Sequence, residues 1–171
     1  ISENGGASWK PLSAETAKGL PKGPWGRVEV VYALADPKRV YAAIESPRSA
    51  LFVSDDGGKT WEERDRSRNM VWRPFYFSKM VPDPKDPNRI FKMNLRMIVS
   101  EDGGKSFADS SGGSHGDWHD LWINPTNTKH LIGADDGGLW ISYDGGTKWW
   151  KGMNLPISQF YHVSIDDKDP Y

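Results

Sequence analysis

Short apolar runs with an alternating character recur along the chain, separated by stretches rich in Gly, Pro and Asp. One set lies at 27–33, 40–44 and 50–53, a second at 75–81, 90–93 and 96–99, and a third at 118–123, 130–133 and 139–141. Runs of this length, enriched in β-branched and aromatic residues, predict strands rather than helices. First and second strands of each set are expected to turn at Asp36-Pro37, Asp83-Pro84 and Asn124-Pro125, where proline fixes φ and withdraws an N–H from pairing. A further run at 159–165, followed by Asp166-Asp167, reads as the first strand of another set. Between Lys10 and Gly26 the pattern gives way to a link with Pro11, Pro21 and Pro24, in which 13–19 suits one capped helical turn.

One octet recurs: Ser2-Glu-Asn-Gly-Gly-Ala-Ser-Trp9, Ser54-Asp-Asp-Gly-Gly-Lys-Thr-Trp61, Ser100-Glu-Asp-Gly-Gly-Lys-Ser-Phe107 and Ser142-Tyr-Asp-Gly-Gly-Thr-Lys-Trp149. The octets begin at residues 2, 54, 100 and 142, a spacing that suits a repeated four-stranded unit. In each, a strand ends at Ser, the Asp carboxylate folds onto turn N–H groups, Gly supplies positive φ, and the aromatic ring returns to the core.

The form S-x-D-x-G-x-[ST]-[WF] resembles the Asp-box, or BNR repeat, of sialidases, xyloglucanase-type glycoside hydrolases, sortilin-type receptors and photosystem assembly factors. The resemblance implies an all-β chain, a β-propeller of four-stranded antiparallel blades whose Asp-box hairpins join third and fourth strands. Asp56, Asp102 and Asp144 then have a structural role, and the turns with Asn4 for Asp and Lys148 for Ser/Thr are expected to be looser. Whole blades fall at 27–66, 67–111 and 112–153, between partial blades at 1–26 and 154–171. Propellers close with typically about 4–8 blades, so the expected partners include missing blades of a longer chain or other subunits. The alternative is a small four-bladed ring assembled from both termini. The stretches 115–125, 135–146 and 159–163 are similar to large secreted bacterial proteins of the glycosyl-hydrolase-like and sortilin-like kind, which implies a secreted or periplasmic location.

Composition narrows the partners. The 171 residues carry 22 Lys and Arg against 23 Asp and Glu, so no basic footprint for nucleic acid is present, and no apolar run approaches a membrane span. With no Cys, disulfides, thiolate nucleophiles and Cys-ligated zinc are excluded. The sequence also lacks a P-loop, a dinucleotide fingerprint, a G-x-S-x-G elbow, an EF-hand and HExxH.

In a propeller the first strands line the central channel, so chemistry is sought at their starts. Alignment on the turns puts Glu29, Tyr76, Asp117 and Gln159 seven residues before them, Arg27 and His115 nine before, and His119 and Tyr161 five before. His115, Asp117 and His119 stand at i, i+2 and i+4, which on an extended strand brings all three to one face. One reading is a divalent-metal site of these three, with Asp135 or Asp136 as a further ligand. A second pairs Asp117 with Glu29 as catalytic carboxylates of a glycoside hydrolase. A third is structural, with the histidines hydrogen-bonded to Asp117 or Asp120. Candidate ligand-binding residues are Arg27, Arg73, Tyr76, His115, His119, Gln159 and Tyr161. Arg48 and Arg96 fall near the same face, and the run 62–68 reads as a solvated link. Trp118, Trp122, Trp140 and Trp149 suit blade packing, whereas Trp25, Trp72 and Trp150 suit stacking on a sugar ring. The functions in view are recognition of a polysaccharide or peptide through the channel face, glycoside hydrolysis through carboxylates including Asp117, and a structural or assembly role with a protein partner.

Overall fold

A computed structural model describes residues 1–76, 78–155 and 162–165. Among these residues there is no helix; twelve strands form three four-stranded antiparallel sheets, each in sequence order. The first comprises β1 (Val28–Ala33), β2 (Asp36–Ile44), β3 (Ala50–Ser54) and β4 (Glu62–Asp65). In the second are β5 (Met80–Pro82), β6 (Ile90–Lys92), β7 (Ile98–Ser100) and β8 (Ala108–Asp109). The third holds β9 (Trp118–Ile123), β10 (Leu131–Asp135), β11 (Gly138–Ser142) and β12 (Trp150–Lys151).

Strand alternation sends neighbouring residues to opposite faces and so bonds the sheets to one another. Ile90 turns toward Tyr41, Leu51 and Val53 of the first sheet, while the adjacent Phe91 joins Leu121, Leu131 and Trp149 of the third. Polar latches cross the same joints. Arg39 donates to Asn88 Oδ1 (3.0 Å) and the Tyr41 hydroxyl to the Pro87 carbonyl (2.5 Å). One sheet further on, Arg89 donates to the carbonyls of Thr128 (3.3 Å) and Gly145 (2.5 Å). The far face of the first sheet is covered by the link, whose Ala17 and Leu20 pack on Ala42, Ile44 and Phe52. Its 13–19 stretch makes one turn, with Ala17 N bonded to Ser13 O at 2.9 Å.

Each octet after the first joins the third and fourth strands of a sheet, and all four share a hydrogen-bond scheme. In the second, Ser54 Oγ donates to Asp56 Oδ1 (2.8 Å) and accepts from Gly58 N (2.8 Å). Asp56 Oδ1 takes the N–H groups of Lys59 and Thr60, both at 2.9 Å. The turns at Asn4 and Lys148, expected to be looser, keep the core of this scheme and each lacks one of its bonds: Ala7 N reaches the Asn4 carbonyl at 3.4 Å where Lys59 N meets a carboxylate oxygen. Asn4 Oδ1 accepts Ser8 N at 2.9 Å, and its amide donates to the Ser8 hydroxyl, also at 2.9 Å. Lys148 keeps the backbone N–H bond, at 2.9 Å to Asp144 Oδ1, but has no hydroxyl to match those that Thr60 and Ser106 donate to the second carboxylate oxygens of Asp56 (2.7 Å) and Asp102 (2.6 Å).

Other expectations shift. Asp83 and Asn124 cap turns as expected, accepting Lys85 N (2.8 Å) and Thr126 N (2.9 Å). Asp36-Pro37, by contrast, lies inside β2, because the chain reverses at Leu34-Ala35 and Asp36 pairs with Ala33 next to a register shift. The run at 75–81 becomes strand only at Met80, since Tyr76 N bonds to Arg73 O (2.8 Å) in a turn with Pro74 at its second position. The run at 62–68 is not all link: its first four residues are β4, where Arg64 pairs with Glu62 at 2.9 Å. Trp25 is partly buried and packs against the core beside the first sheet.

Candidate functional site

Strand starts from all three sheets converge on one cavity of about 260 Å³. Arg27 and Glu29 enter from the start of β1, Tyr76, Ser78 and Lys79 from the turn before β5, and Trp118 and His119 from β9. His162 closes the ring from the short segment 162–165, and Met93 forms part of the floor. Of the sequence-derived candidates, the structure therefore brings together Arg27, Glu29, Tyr76 and His119. Arg73 stands just outside, its guanidinium 5.3 Å from the centre of the Tyr76 ring. Gln159 and Tyr161 lie outside the described residues.

Inside the cavity His119 is held from two sides. Its Nε2 lies 2.6 Å from Asp136 Oδ1, and Tyr76 meets its ring edge-on with centroids 5.2 Å apart. Asp136 comes from the loop between β10 and β11, so one sheet supplies both partners. Beneath Glu29 lies Lys92, only 1% exposed at the end of β6, with its ammonium donating to the Met93 carbonyl at 3.2 Å. Burial pushes the Lys92 amine down to about 8, an effect that Glu29 partly opposes. A charged residue inside the apolar run Ile90-Phe91-Lys92-Met93 was the sequence signal for this group.

The trio His115, Asp117 and His119 is not assembled. The i, i+2, i+4 rule requires extended backbone, but Gly116 and Asp117 have φ of +103° and +56°, and β9 begins only at Trp118. His115 consequently lines a different cavity, with Leu95, Arg96 and Ser114, while His119 lines the one that contains Glu29. Among the described residues no group of three or more His, Asp or Glu side chains could hold a metal ion. The left-handed turn does have a packing role: Asp117 N and Trp118 N bond to the carbonyls of Leu95 (2.9 Å) and Asn94 (3.0 Å), seating β9 on the second sheet. Asp117 does not line the cavity that contains Glu29, so the proposed carboxylate pair is not brought together there either.

Sequence reasoning offers Asp120 only as a histidine partner and gives no role to Lys79. The structure makes Asp120 a buried acceptor for Lys79, while Lys79 itself faces the cavity. Register comparison four residues before the turns, rather than five, seven or nine, would have exposed both.

Comparison with known proteins bears on the fold. Residues 52–63 match the BNR/Asp-box repeat. No curated protein matches the sequence. Among solved structures, the chain is similar to an ancestral GH74 enzyme, at a TM-score of 0.56 and 15% identity over 77% of this chain and 19% of that one. It is likewise similar to the GH74 xyloglucanase of Xanthomonas campestris, at 0.56 and 15% over 74% of this chain and 23% of that one. The chain thus spans about a fifth of the length of these β-propeller enzymes. At this identity the similarity concerns the fold. No helix among the described residues is long and apolar enough to cross a membrane.

Proposed function

We propose that the chain is an arc of a BNR-type β-propeller that recognises a polysaccharide at the mouth of its channel. In this reading the three sheets are whole blades closed by Asp-box hairpins, 1–26 and 154–171 belong to further blades of a longer chain or another subunit, and the protein acts outside the cytoplasm. The observation that carries it is the cavity itself, where Glu29, Arg27 and Lys79 offer an acceptor and donors beside the Tyr76 ring. Sugar hydroxyls both give and take hydrogen bonds, and an aromatic ring beside them supports a pyranose face. A two-carboxylate hydrolase needs a second acid facing the first across the scissile bond. Because Asp117 does not line this cavity, recognition is favoured over hydrolysis.

The test is titration calorimetry of the 171-residue chain with xyloglucan oligosaccharides and, separately, with oligogalacturonides. Binding that falls at least tenfold in Glu29→Gln and in Tyr76→Ala is the expected result. Binding that survives both substitutions would place recognition elsewhere. Release of new reducing ends, abolished in Glu29→Gln, would replace this reading with the hydrolytic one, and binding of neither glycan would reject it.

A further inference from the structure

Lys79 and Asp120 stand four residues before the turns at Asp83 and Asn124, and in the sequence His162 stands four before Asp166-Asp167, so the three hold equivalent places in the sequence repeat. Repeat positions that serve only packing tend to keep one chemical type; this one runs cation, anion, imidazole. The Asp120 side chain also touches each of the other two. Lys79 pairs with Asp120 Oδ1, and His162 Nδ1 lies 3.5 Å from Asp120 Oδ2. Two backbone N–H groups complete the carboxylate: Leu121 N at 2.7 Å on Oδ1 and Val163 N at 3.2 Å on Oδ2. The chain of contacts begins at the second sheet, because the corresponding residue of the first is Tyr32.

Exposure separates the roles. The Asp120 side chain is 7% exposed, whereas those of Lys79 and His162 are 41% and 85% exposed and both line the cavity. A carboxylate with two N–H donors and an ammonium is well satisfied where it is, and replacing one partner would leave the others buried without it. We propose that Asp120 is the positioning residue of the cavity: from beneath, it fixes Lys79 and the 162–163 backbone so that an ammonium and an imidazole face the oxygen atoms of a bound saccharide. The proposal rests on the recognition reading above for its ligand, but its geometry is independent of it.

Two measurements on the full 171-residue chain separate these. Hydrogen exchange at the Val163 amide needs no ligand: Asp120→Asn is expected to lower its protection at least tenfold, and unchanged protection overturns the role of Asp120. Affinity is then compared for whichever of the xyloglucan or galacturonide oligosaccharides the native chain binds. Asp120→Asn is expected to weaken it at least tenfold with an unshifted far-ultraviolet spectrum, Lys79→Met to weaken it less, and the double variant to be no worse than Asp120→Asn alone. Additive losses would mean that the two residues act separately and overturn the proposal, as would native affinity in Asp120→Asn. If the native chain binds neither glycan, the recognition reading fails while the Val163 result still decides the contact. Should Asp120→Asn not fold, Lys79→Met takes its place, since Lys79 is partly exposed. Native Val163 protection together with native affinity in that variant overturns the proposal.

Discussion

Gly133 lies flat beneath the indole of Trp118: a Cβ at residue 133 would come within 2.3 Å of Trp118 Cζ3. Trp118 is wholly buried between the second and third sheets, so displacing its ring disturbs the packing of both. Because Trp118 also lines the candidate cavity, this contact ties core packing to the site. Gly133→Ala is expected to cost about 1–3 kcal/mol or more by overpacking, read as a lower urea midpoint. A midpoint equal to that of the native chain would mean that the sheets separate more easily than their packing implies.

A second close approach fixes the link. Gly19 has φ +97°, and a Cβ there would lie 1.8 Å from the Trp61 carbonyl oxygen. Beside it, Trp61 N bonds to Lys18 O at 2.8 Å, so the link adds a short parallel contact to the first sheet. Gly19→Ala is therefore expected to lift the link and expose Ala42, Ile44 and Phe52, seen as increased proteolysis within 10–26 and increased binding of a hydrophobic dye. Native resistance to protease in that variant would show that the link is held by other contacts.

What was readable beforehand followed from period. Octets and alternating runs marked all three sheets because side chains of a strand alternate and the turns need glycine at fixed places. The same logic brought Arg27, Glu29, Tyr76 and His119 into one cavity, since aligned turns place them at equivalent strand starts. It failed at His115 and Asp117, where two consecutive left-handed residues break the alternation that the argument assumed. Asp adopts this conformation more readily than most residues, but nothing local to Gly116-Asp117 announces it; the carbonyls of Leu95 and Asn94, between β6 and β7, do so. Lys92 shows the opposite case, a burial visible in the apolar run around it, while the charge that partly opposes its shift, Glu29, is more than sixty residues away in sequence.

The octet acids make stability depend on acid. Hydrogen bonds from the Thr60 N–H and hydroxyl hold the Asp56 carboxyl down to about 2. The Ser106 hydroxyl and N–H hold Asp102 lower still, and the Lys148 N–H lowers Asp144. Groups whose folded value lies below the unfolded one, about 3.9 for Asp, contribute stability that is present above that value and lost as pH falls through the folded one. Asn4 shows that an amide sustains the same turn. The triple variant Asp56→Asn, Asp102→Asn, Asp144→Asn should thus keep the fold while its melting temperature falls less steeply than the native one between about pH 4 and 2. Parallel melting curves over that range would show that other carboxylates govern acid unfolding.

Lys92 sets the alkaline side. Burial holds its folded value at about 8 against an ordinary 10.5, so between these limits the unfolded chain carries the proton and the folded chain does not. Where the unfolded state binds more protons, stability rises with pH; below about 8 both states are charged and the burial cost is borne in full. The shift corresponds to about 3 kcal/mol, part of which the Met93 carbonyl contact offsets. Lys92→Met fills the same volume without a charge and is expected to exceed the native chain in stability at pH 7 by about 1–3 kcal/mol. Other lysines and tyrosines titrate in the same alkaline window, so the informative quantity is the difference between the two proteins. Urea midpoints measured at pH 7, 9 and 10.5 should converge as the native chain regains the cost of its buried ammonium. A difference that stays constant with pH would mean that Lys92 is equally protonated in both states and that water or a ligand reaches it.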